Sequence, residues 1–290
     1  MNRLIFGCGY LGERVAKRWR ASGATVHVVT RSTERAQQLA DDGFQSLVAD
    51  VTQPETLLDL PSAETVLFAV GYDRSSEHSI TEVYAGGVKN VLAALPEDTG
   101  SFIYASSVGV YGPAGGEWVD ERTSPRPQRE GGRASLAAEQ EVATHSIGKR
   151  SAVLRLAGLY GPGRIPHLDK LQIGEPIAAP SDGWLNLIHI DDAATVVLAA
   201  ESWLGQGQEA GPHLFCVSND HPVVRANYYR EVARLIGADP PRFIPPDPDS
   251  PAAARARASR RVSNEKMVQQ LGVELAYPTH REGLAAILQQ

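Results

Sequence analysis

The 290-residue sequence predicts an α/β fold, a doubly wound parallel sheet with a small C-terminal lobe. Three observations lead there. Short apolar runs alternate with helical stretches of roughly ten or more residues, the spacing that parallel pairing with crossover helices requires. A glycine-rich turn falls between the first strand and the first helix. From Gly158 onward the alternation loosens and Pro and Gly become dense, as a separate lobe would require.

The elements follow in order. Leu4 to Phe6 reads as a strand, and Glu13 to Ala21 as a helix that buries Val15 and Trp19 and stops at Gly23. Thr25 to Thr30 is a β-branched strand. Ser32 or Thr33 then caps a helix to Ala40, with Gly43 just beyond it. Leu47 to Ala49, Thr65 to Val70, Phe102 to Ser107 and Ala152 to Leu156 continue the strands, with helical stretches around Ser79 to Leu95 and Ser135 to Ser146. Further on, Leu185 to Ile190 reads as a strand and Asp191 as the cap of a helix to Ala200. Leu214 to Val217 is a strand, Pro222 to Ile236 a helix closed by Gly237, and Pro240 to Ala258 a loop. Ser263 and Thr279 read as N-caps, the latter forming a capping box with Glu282. The expected division is 1–158 with 185–218 for the sheet domain and 159–184 with 219–290 for the lobe.

Composition excludes several classes of function. The net charge is −6, with 23 arginines and five lysines and no large basic block, so general nucleic-acid binding is not expected. No apolar run approaches the roughly 20 residues that cross a bilayer. The short apolar start is no signal peptide, and the two cysteines, Cys8 and Cys216, suggest a reducing cytoplasm. No His or Cys pair has metal-ligand spacing, so no metal site is expected.

Gly7-Cys8-Gly9-Tyr10-Leu11-Gly12 is G-x-G-x-x-G placed after a strand and before a helix, the setting of a Rossmann dinucleotide site. Gly7 permits the tight turn, Gly9 lets the backbone approach a pyrophosphate, and Gly12 lets helix and strand pack closely. Tyr10 and Leu11 lie between them at the helix start. An NAD site usually places an acid at the end of the second strand to hold the ribose 2′-hydroxyl. Here Val28-Val29-Thr30-Arg31-Ser32 carries none, and Arg31 with Ser32 suits a 2′-phosphate. NADP is therefore the expected cofactor and NAD the alternative.

Several further blocks resemble the extended short-chain dehydrogenase/reductases, the NAD-dependent epimerase/dehydratase superfamily. They are Ala49-Asp50-Val51, Gly87 to Val91, Ser106 to Gly112, Leu154 to Gly163, Leu187 to Asp192 and Arg261 to Asn264, in that order. The resemblance implies Asp50 and Val51 near the adenine, and Ala69, Val70, Gly71 and Ser106 along the cofactor. It implies Ser107 at the catalytic serine position. It also implies a small-molecule substrate, which can be phosphorylated or nucleotide-linked. It says nothing of oligomeric state.

Members of that family use Tyr-x-x-x-Lys some two dozen residues after the serine, the lysine favouring the tyrosinate. Free tyrosine has a pKa near 10, so lowering it towards 7 takes roughly 4 kcal/mol of differential stabilisation. In this chain Gly131 and Ser135 stand at those two positions. Misalignment does not rescue the pair. The residues four after the nine tyrosines are Arg14, Ser76, Val88, Val108, Gly115, Arg164, Val232, Ala233 and Arg281, none of them lysine. The Asp-Glu pair of the dehydratases is also missing after Ser107. The resemblance narrows to the atypical, tyrosine-deficient YeeZ-like branch.

The other candidates have bland readings beside functional ones. Tyr111 is read as packed beneath the site, and His189 as a structural histidine on its strand. Tyr160 borders the expected substrate cleft. Arg133 either replaces the absent lysine or is solvated. Arg255, Arg257, Arg260 and Arg261 either bind a substrate phosphate or belong to a surface loop. Cys8 reads as a filler rather than a redox thiol. The leading functional expectation is an NADP-dependent oxidoreductase or epimerase-like enzyme acting on a sugar or small carbonyl compound. The alternative is a non-catalytic sensor of NADP(H) or a metabolite, and a structural module without cofactor ranks third.

Overall fold

A computed structural model describes residues 1–208, 211–219, 221–250, 253 and 259–289. The chain divides into two compact units. The first comprises Met1–Val110, Pro127–Arg155 and Ala194–Phe215, and the second Tyr111–Arg126, Leu156–Ala193 and Cys216–Gln290.

The first unit is built on a seven-stranded sheet. Its elements begin β1 (Asn2–Phe6), α1 (Gly12–Ala21), β2 (Thr25–Thr30), α2 (Thr33–Asp41), β3 (Gln45–Val48), β4 (Thr65–Phe68), α3 (Gly87–Ala94) and β5 (Ser101–Ser107). After β6 (Trp118–Val119), which belongs to the second unit, come α4 (Glu130–Thr144) and β7 (Ser151–Leu156). The strand order is β12-β7-β5-β4-β1-β2-β3, where β12 is His213–Val217. β1 pairs in parallel with both β2 and β4, so the order reverses between β1 and β4. In open sheets of this kind, ligands bind outside the carboxyl ends of the strands at that reversal.

Packing follows the sequence pattern. Phe6, Phe68 and Tyr104 line one face of three adjacent strands, with ring centroids 6.2 and 6.0 Å apart. Such ring pairs add about 0.5–1.5 kcal/mol each beyond their buried area. α1 buries Val15 and Trp19 as expected. Arg18, which precedes Trp19 in the same helix, donates to Thr195 on α6 (Ile190–Leu204) at 2.7 Å. Ser32 caps α2 by accepting from the Arg35 amide, and Gly43 beyond the helix has φ +86°.

The second unit carries β8 (Gly158–Tyr160), α5 (Leu168–Gln172), β9 (Ile177–Ala178), β10 (Trp184–Leu185) and β11 (Leu187–His189). β13 (Val223–Val224) and α7 (Arg225–Ile236) follow, then β14 (Phe243–Ile244) and β15 (Arg261–Val262). Two-stranded pairs replace a large sheet here. Tyr160, Tyr228, Val232 and Leu284 form its core.

Three local expectations need correction. The run Leu185 to Ile190 is two strands, because Asn186 between them donates to Arg260 O and accepts from Val262 N. Asp191 lies inside a helix that begins at Ile190 and runs to Leu204, and its amide donates to His189 Nδ1. The helix Glu265–Leu271 has Asn264 at its cap position rather than Ser263, and the Asn264 amide group donates to Ser218 O. The helical stretch from Ser79 starts with reciprocal Ser79–Glu82 bonds and passes a wide π turn, Glu82–Gly86, before α3. The capping box of Thr279 and Glu282 is present.

Candidate functional site

The glycine turn sits at the reversal point, in the first unit. Gly7 has φ +90°, and a methyl group there would lie 2.5 Å from Ala69 O. A methyl on Gly12 would lie 2.3 Å from Gly7 O and 3.3 Å from Ile5 Cγ2. Gly9 differs, since a methyl group there would meet nothing within 4 Å. Two of the glycines thus make the turn and its packing, and the third leaves open space in front of the main chain. No side chain caps the α1 N-terminus at Leu11, so the positive end of the helix dipole is left for a ligand.

The charged side chains around the helix start pair with one another. Glu13, in the first turn, pairs with Lys17 at 2.6 Å and Arg35 at 2.8 Å, and the Lys17 bond leads in holding its carboxyl below the usual value. Tyr10 is half-buried, and the Arg14 guanidinium lies 4.5 Å from its ring centre. Cys8 is buried, and burial pushes its thiol up to about 11, which keeps it protonated and inert at neutral pH.

The walls of the crevice hold the remaining cofactor candidates. Asp50 Oδ1 accepts from the Thr52 amide and hydroxyl, and Val51 O accepts from Asn90 Nδ2 at 2.9 Å. Val51 also packs so closely on α3 that a methyl on Gly87 would lie 2.8 Å from its Cγ2. The Ala69 amide donates to Phe6 O at 2.8 Å, which fixes Ala69, Val70 and Gly71 beside the glycine turn. Beside Gly71, as beside Gly9, the space is open. Arg31 and Ser32 follow β2. Arg31 is half-exposed, and its Nη2 lies 3.5 Å from Asp73 Oδ2.

At the end of β5 the strand's two-residue period sends Ser106 and Ser107 opposite ways. The Ser106 hydroxyl donates to Glu139 Oε1 at 2.6 Å. Glu139 is gripped in turn by Arg155, through Nε at 3.0 Å and Nη2 at 2.6 Å. All three are buried, so a fully hydrogen-bonded ionic triad fastens α4 to β5 and β7. Ser107 is half-buried, and its Oγ accepts from the Gly109 amide at 3.0 Å.

α4 shows what replaced the tyrosine and lysine. A methyl on Gly132 would lie 2.2 Å from Gly109 O, so this helix start packs directly on the turn after Ser107. Gly131 faces the end of Ile80, with 3.3 Å between an added methyl and Cδ1. Ser135 is buried and hydrogen-bonds the Tyr104 hydroxyl, whose pKa burial pushes upward. Arg133 is exposed and donates to Gln128 O. Arg129 is the cation that sequence reading missed. A methyl on Gly109 would lie 3.1 Å from Ser107 Oγ and 3.8 Å from Arg129 Nη2, so hydroxyl and guanidinium flank one glycine. Its position at the N-cap of α4, two residues before the paired glycines, is the only signal the sequence carries.

In the second unit the remaining candidates are mostly tied down. Tyr111 is buried and donates to Asp120 O at 2.6 Å, with Cys216 Sγ 3.2 Å away. Tyr160 is fully buried, and desolvation raises its pKa. It stands edge-on to His189, which is itself buried and tilted against Tyr277. Asp192 accepts from the Ala276 and Tyr277 amides, completing that knot. Arg261 lies between Trp118 and Trp184, 5.1 and 5.2 Å from the ring centres, and Arg260 is buried. Arg255 and Arg257 lie outside the described residues.

Among the described residues no group of three His, Cys, Asp or Glu is placed to hold a metal ion, and no helix is long and apolar enough to cross a membrane. The fold and the glycine site define a Rossmann-type chain, and residues 4–210 match the family model of the NAD dependent epimerase/dehydratase family, to which the chain belongs. It is 28% identical over 286 residues to Protein YeeZ of Escherichia coli (strain K12), spanning 94% of this chain and 95% of that protein. It is also 27% identical over 320 residues to a 3-diazoavenalumate denitrifying reductase from Streptomyces, spanning 98% and 99%. Of solved structures, a Methylobacillus flagellatus protein assigned to the NAD-dependent epimerases/dehydratases is 32% identical, with a TM-score of 0.78 over 99% of this chain and 97% of that one. The human epimerase family protein SDR39U1 with NADPH shares the fold, at a TM-score of 0.81 and 16% identity over the whole of both chains.

Proposed function

We propose that this chain binds NADP(H) through its first unit and acts as an atypical, tyrosine-deficient reductase or epimerase-like enzyme on a sugar or small carbonyl compound. The observation that carries the reading is the juxtaposition of an open glycine crevice with a Ser107 hydroxyl flanked by Arg129. The cofactor would supply or accept a hydride when bound. Gly7, Gly9, Tyr10, Leu11 and Gly12 would hold its pyrophosphate on main-chain amides at the helix start. Arg31 and Ser32 would hold the 2′-phosphate, Asp50 and Val51 the adenine, and Ala69, Val70 and Gly71 the length of the molecule. The Ser106 hydroxyl is committed to Glu139, so only its main chain would take part.

Ser107 accepts from Gly109, which leaves its own proton free to bond a substrate carbonyl. Arg129 would steady the negative charge that grows on that oxygen. Its guanidinium stays charged at any ordinary pH, so it holds charge but transfers no proton. The second unit is read as the substrate lobe, with Arg261 suited to a phosphorylated or nucleotide-linked ligand. Cys8 and Cys216 are both buried and share no disulfide, in keeping with a reducing cytoplasm. The reductase activity in the Streptomyces relative's name supports hydride chemistry.

A non-catalytic sensor of NADP(H) is the second reading. It is favoured by Gly131 and Ser135, which give α4 no acid or base where the family keeps its pair. Fluorescence titration with NADPH tests what both share, and absence of binding at millimolar cofactor removes both. Incubation with 4-deuterated NADPH and a pool of aldehydes and sugars separates them. Label transfer that Ser107→Ala abolishes supports the enzyme, and tight binding without transfer supports the sensor. An unchanged NADPH-to-NADH affinity ratio in Arg31→Ala would overturn the assignment of the 2′-phosphate to Arg31.

A further inference from the structure

No acid closes β2, yet the tertiary structure brings one to the same place from another loop. β1 lies between β2 and β4, so the loops that follow β2 and β4 flank the glycine turn after β1. Strands two apart in a sheet are separated by roughly 10 Å. Arg31 is the first residue past β2 and Asp73 the fifth past β4. Their 3.5 Å ion pair therefore reaches across the mouth of the turn.

The carboxylate is held in place for this. Asp73 Oδ1 accepts from the Ser75 amide at 2.9 Å and the Ser75 hydroxyl at 2.7 Å, which leaves Oδ2 directed at Arg31. Those Ser75 bonds lead in keeping the carboxyl below its usual pKa, and the Arg31 charge adds to them. Asp73 is thus anionic throughout the neutral range.

We propose, on the strength of the NADP(H)-binding reading above, that Asp73 is a specificity-determining residue that competes with the cofactor's 2′-phosphate for Arg31. A phosphate carrying about −1.5 to −2 charge must draw the guanidinium away from a fixed carboxylate and then sit beside that carboxylate. NADH brings no such charge, and its 2′-hydroxyl can donate to Asp73 instead. Arg31 favours NADPH and Asp73 disfavours it, so the site's discrimination is a difference between the two.

Binding of NADPH and NADH to the wild-type protein, Asp73→Asn, Arg31→Ala and the double variant tests this, read by cofactor fluorescence. Exposed ion pairs are weak, so the expected change is modest. Asp73→Asn should tighten NADPH about three- to tenfold, leave NADH equal or weaker, and do so less as salt is raised from about 0.05 to 0.5 M. On the Arg31→Ala background the same substitution should change the NADPH-to-NADH ratio about twofold or less. Ser75→Ala, which frees the carboxylate, should fall between wild type and Asp73→Asn. An unchanged ratio in Asp73→Asn, with wild-type binding intact, overturns the proposal alone. Weaker NADPH binding in that variant also overturns it, because Asp73 would then be orienting Arg31 rather than competing for it. Failure of the wild-type protein to bind either cofactor overturns the underlying reading and the proposal with it.

Discussion

Two glycine-rich helix starts lie in the same unit, and they use their glycines differently. At α1, Gly7 and Gly12 close the turn on itself while Gly9 faces open space. At α4, Gly132 packs on Gly109 O and Gly131 faces the tip of Ile80. A glycine that faces open space leaves room for a ligand, and one that meets backbone makes two elements pack. The α1 junction does both, whereas at α4 Gly132 only packs. The α1 junction leaves a surface open, and α4, which carries neither tyrosine nor lysine at the family's two positions, is pinned by Glu139 and Arg155.

The sharpest way to break the contrast is at the pin. Glu139→Ala leaves Arg155 charged and buried without its carboxylate, so the unfolding free energy should fall by about 3–5 kcal/mol. Chemical denaturation measures this, and a loss under about 1 kcal/mol would mean that α4 is held by something else. Next come the two packing glycines. Gly12→Ala and Gly132→Ala should each cost about 2–3 kcal/mol, because the contacted atom is a backbone oxygen that cannot move cheaply. Equal losses would place the two junctions on a par in packing.

Gly9→Ala separates them. Thermal stability should stay within about 0.5 kcal/mol of wild type, since nothing stands within 4 Å, while NADPH affinity falls at least about tenfold. Unchanged affinity would remove the ligand role of the α1 junction. The smallest expected effect is at Gly131→Ala. The neighbour there is a mobile methyl, and alanine gains up to about 0.5–1 kcal/mol of helix propensity, so the melting temperature should hold or rise slightly. A pH check complements these. With its thiol near 11, Cys8 should resist an aromatic disulfide reagent in the native protein at pH 8, and rapid labelling there would contradict the buried turn.

The first half of the fold was legible because local periodicity and burial agree. Thr25–Thr30 occupies the expected bounds, and Ser32 caps α2 as expected. Legibility fell where side chains bond outside the local pattern. Asn186 breaks a strand by satisfying Arg260 and Val262, 74 and 76 residues away. At the site, the glycine turn was readable because three glycines with three steric duties fall within six residues. Arg129 and Asp73 were not, because each acquires meaning only from a loop packed beside it.

By itself, the sequence determined the doubly wound fold class, the glycine-rich turn and the loss of the tyrosine–lysine pair. These depend on residue identity at short spacing, and no folding can supply a lysine that is not there. Tertiary structure decided which side chains meet around the turn and the strand ends. It turned Ser106 onto Glu139, set Arg129 beside Ser107, and brought Asp73 across β1 to face Arg31. Those are contacts between residues 22 to 42 positions apart, and their distances are fixed by strand order rather than by spacing along the chain.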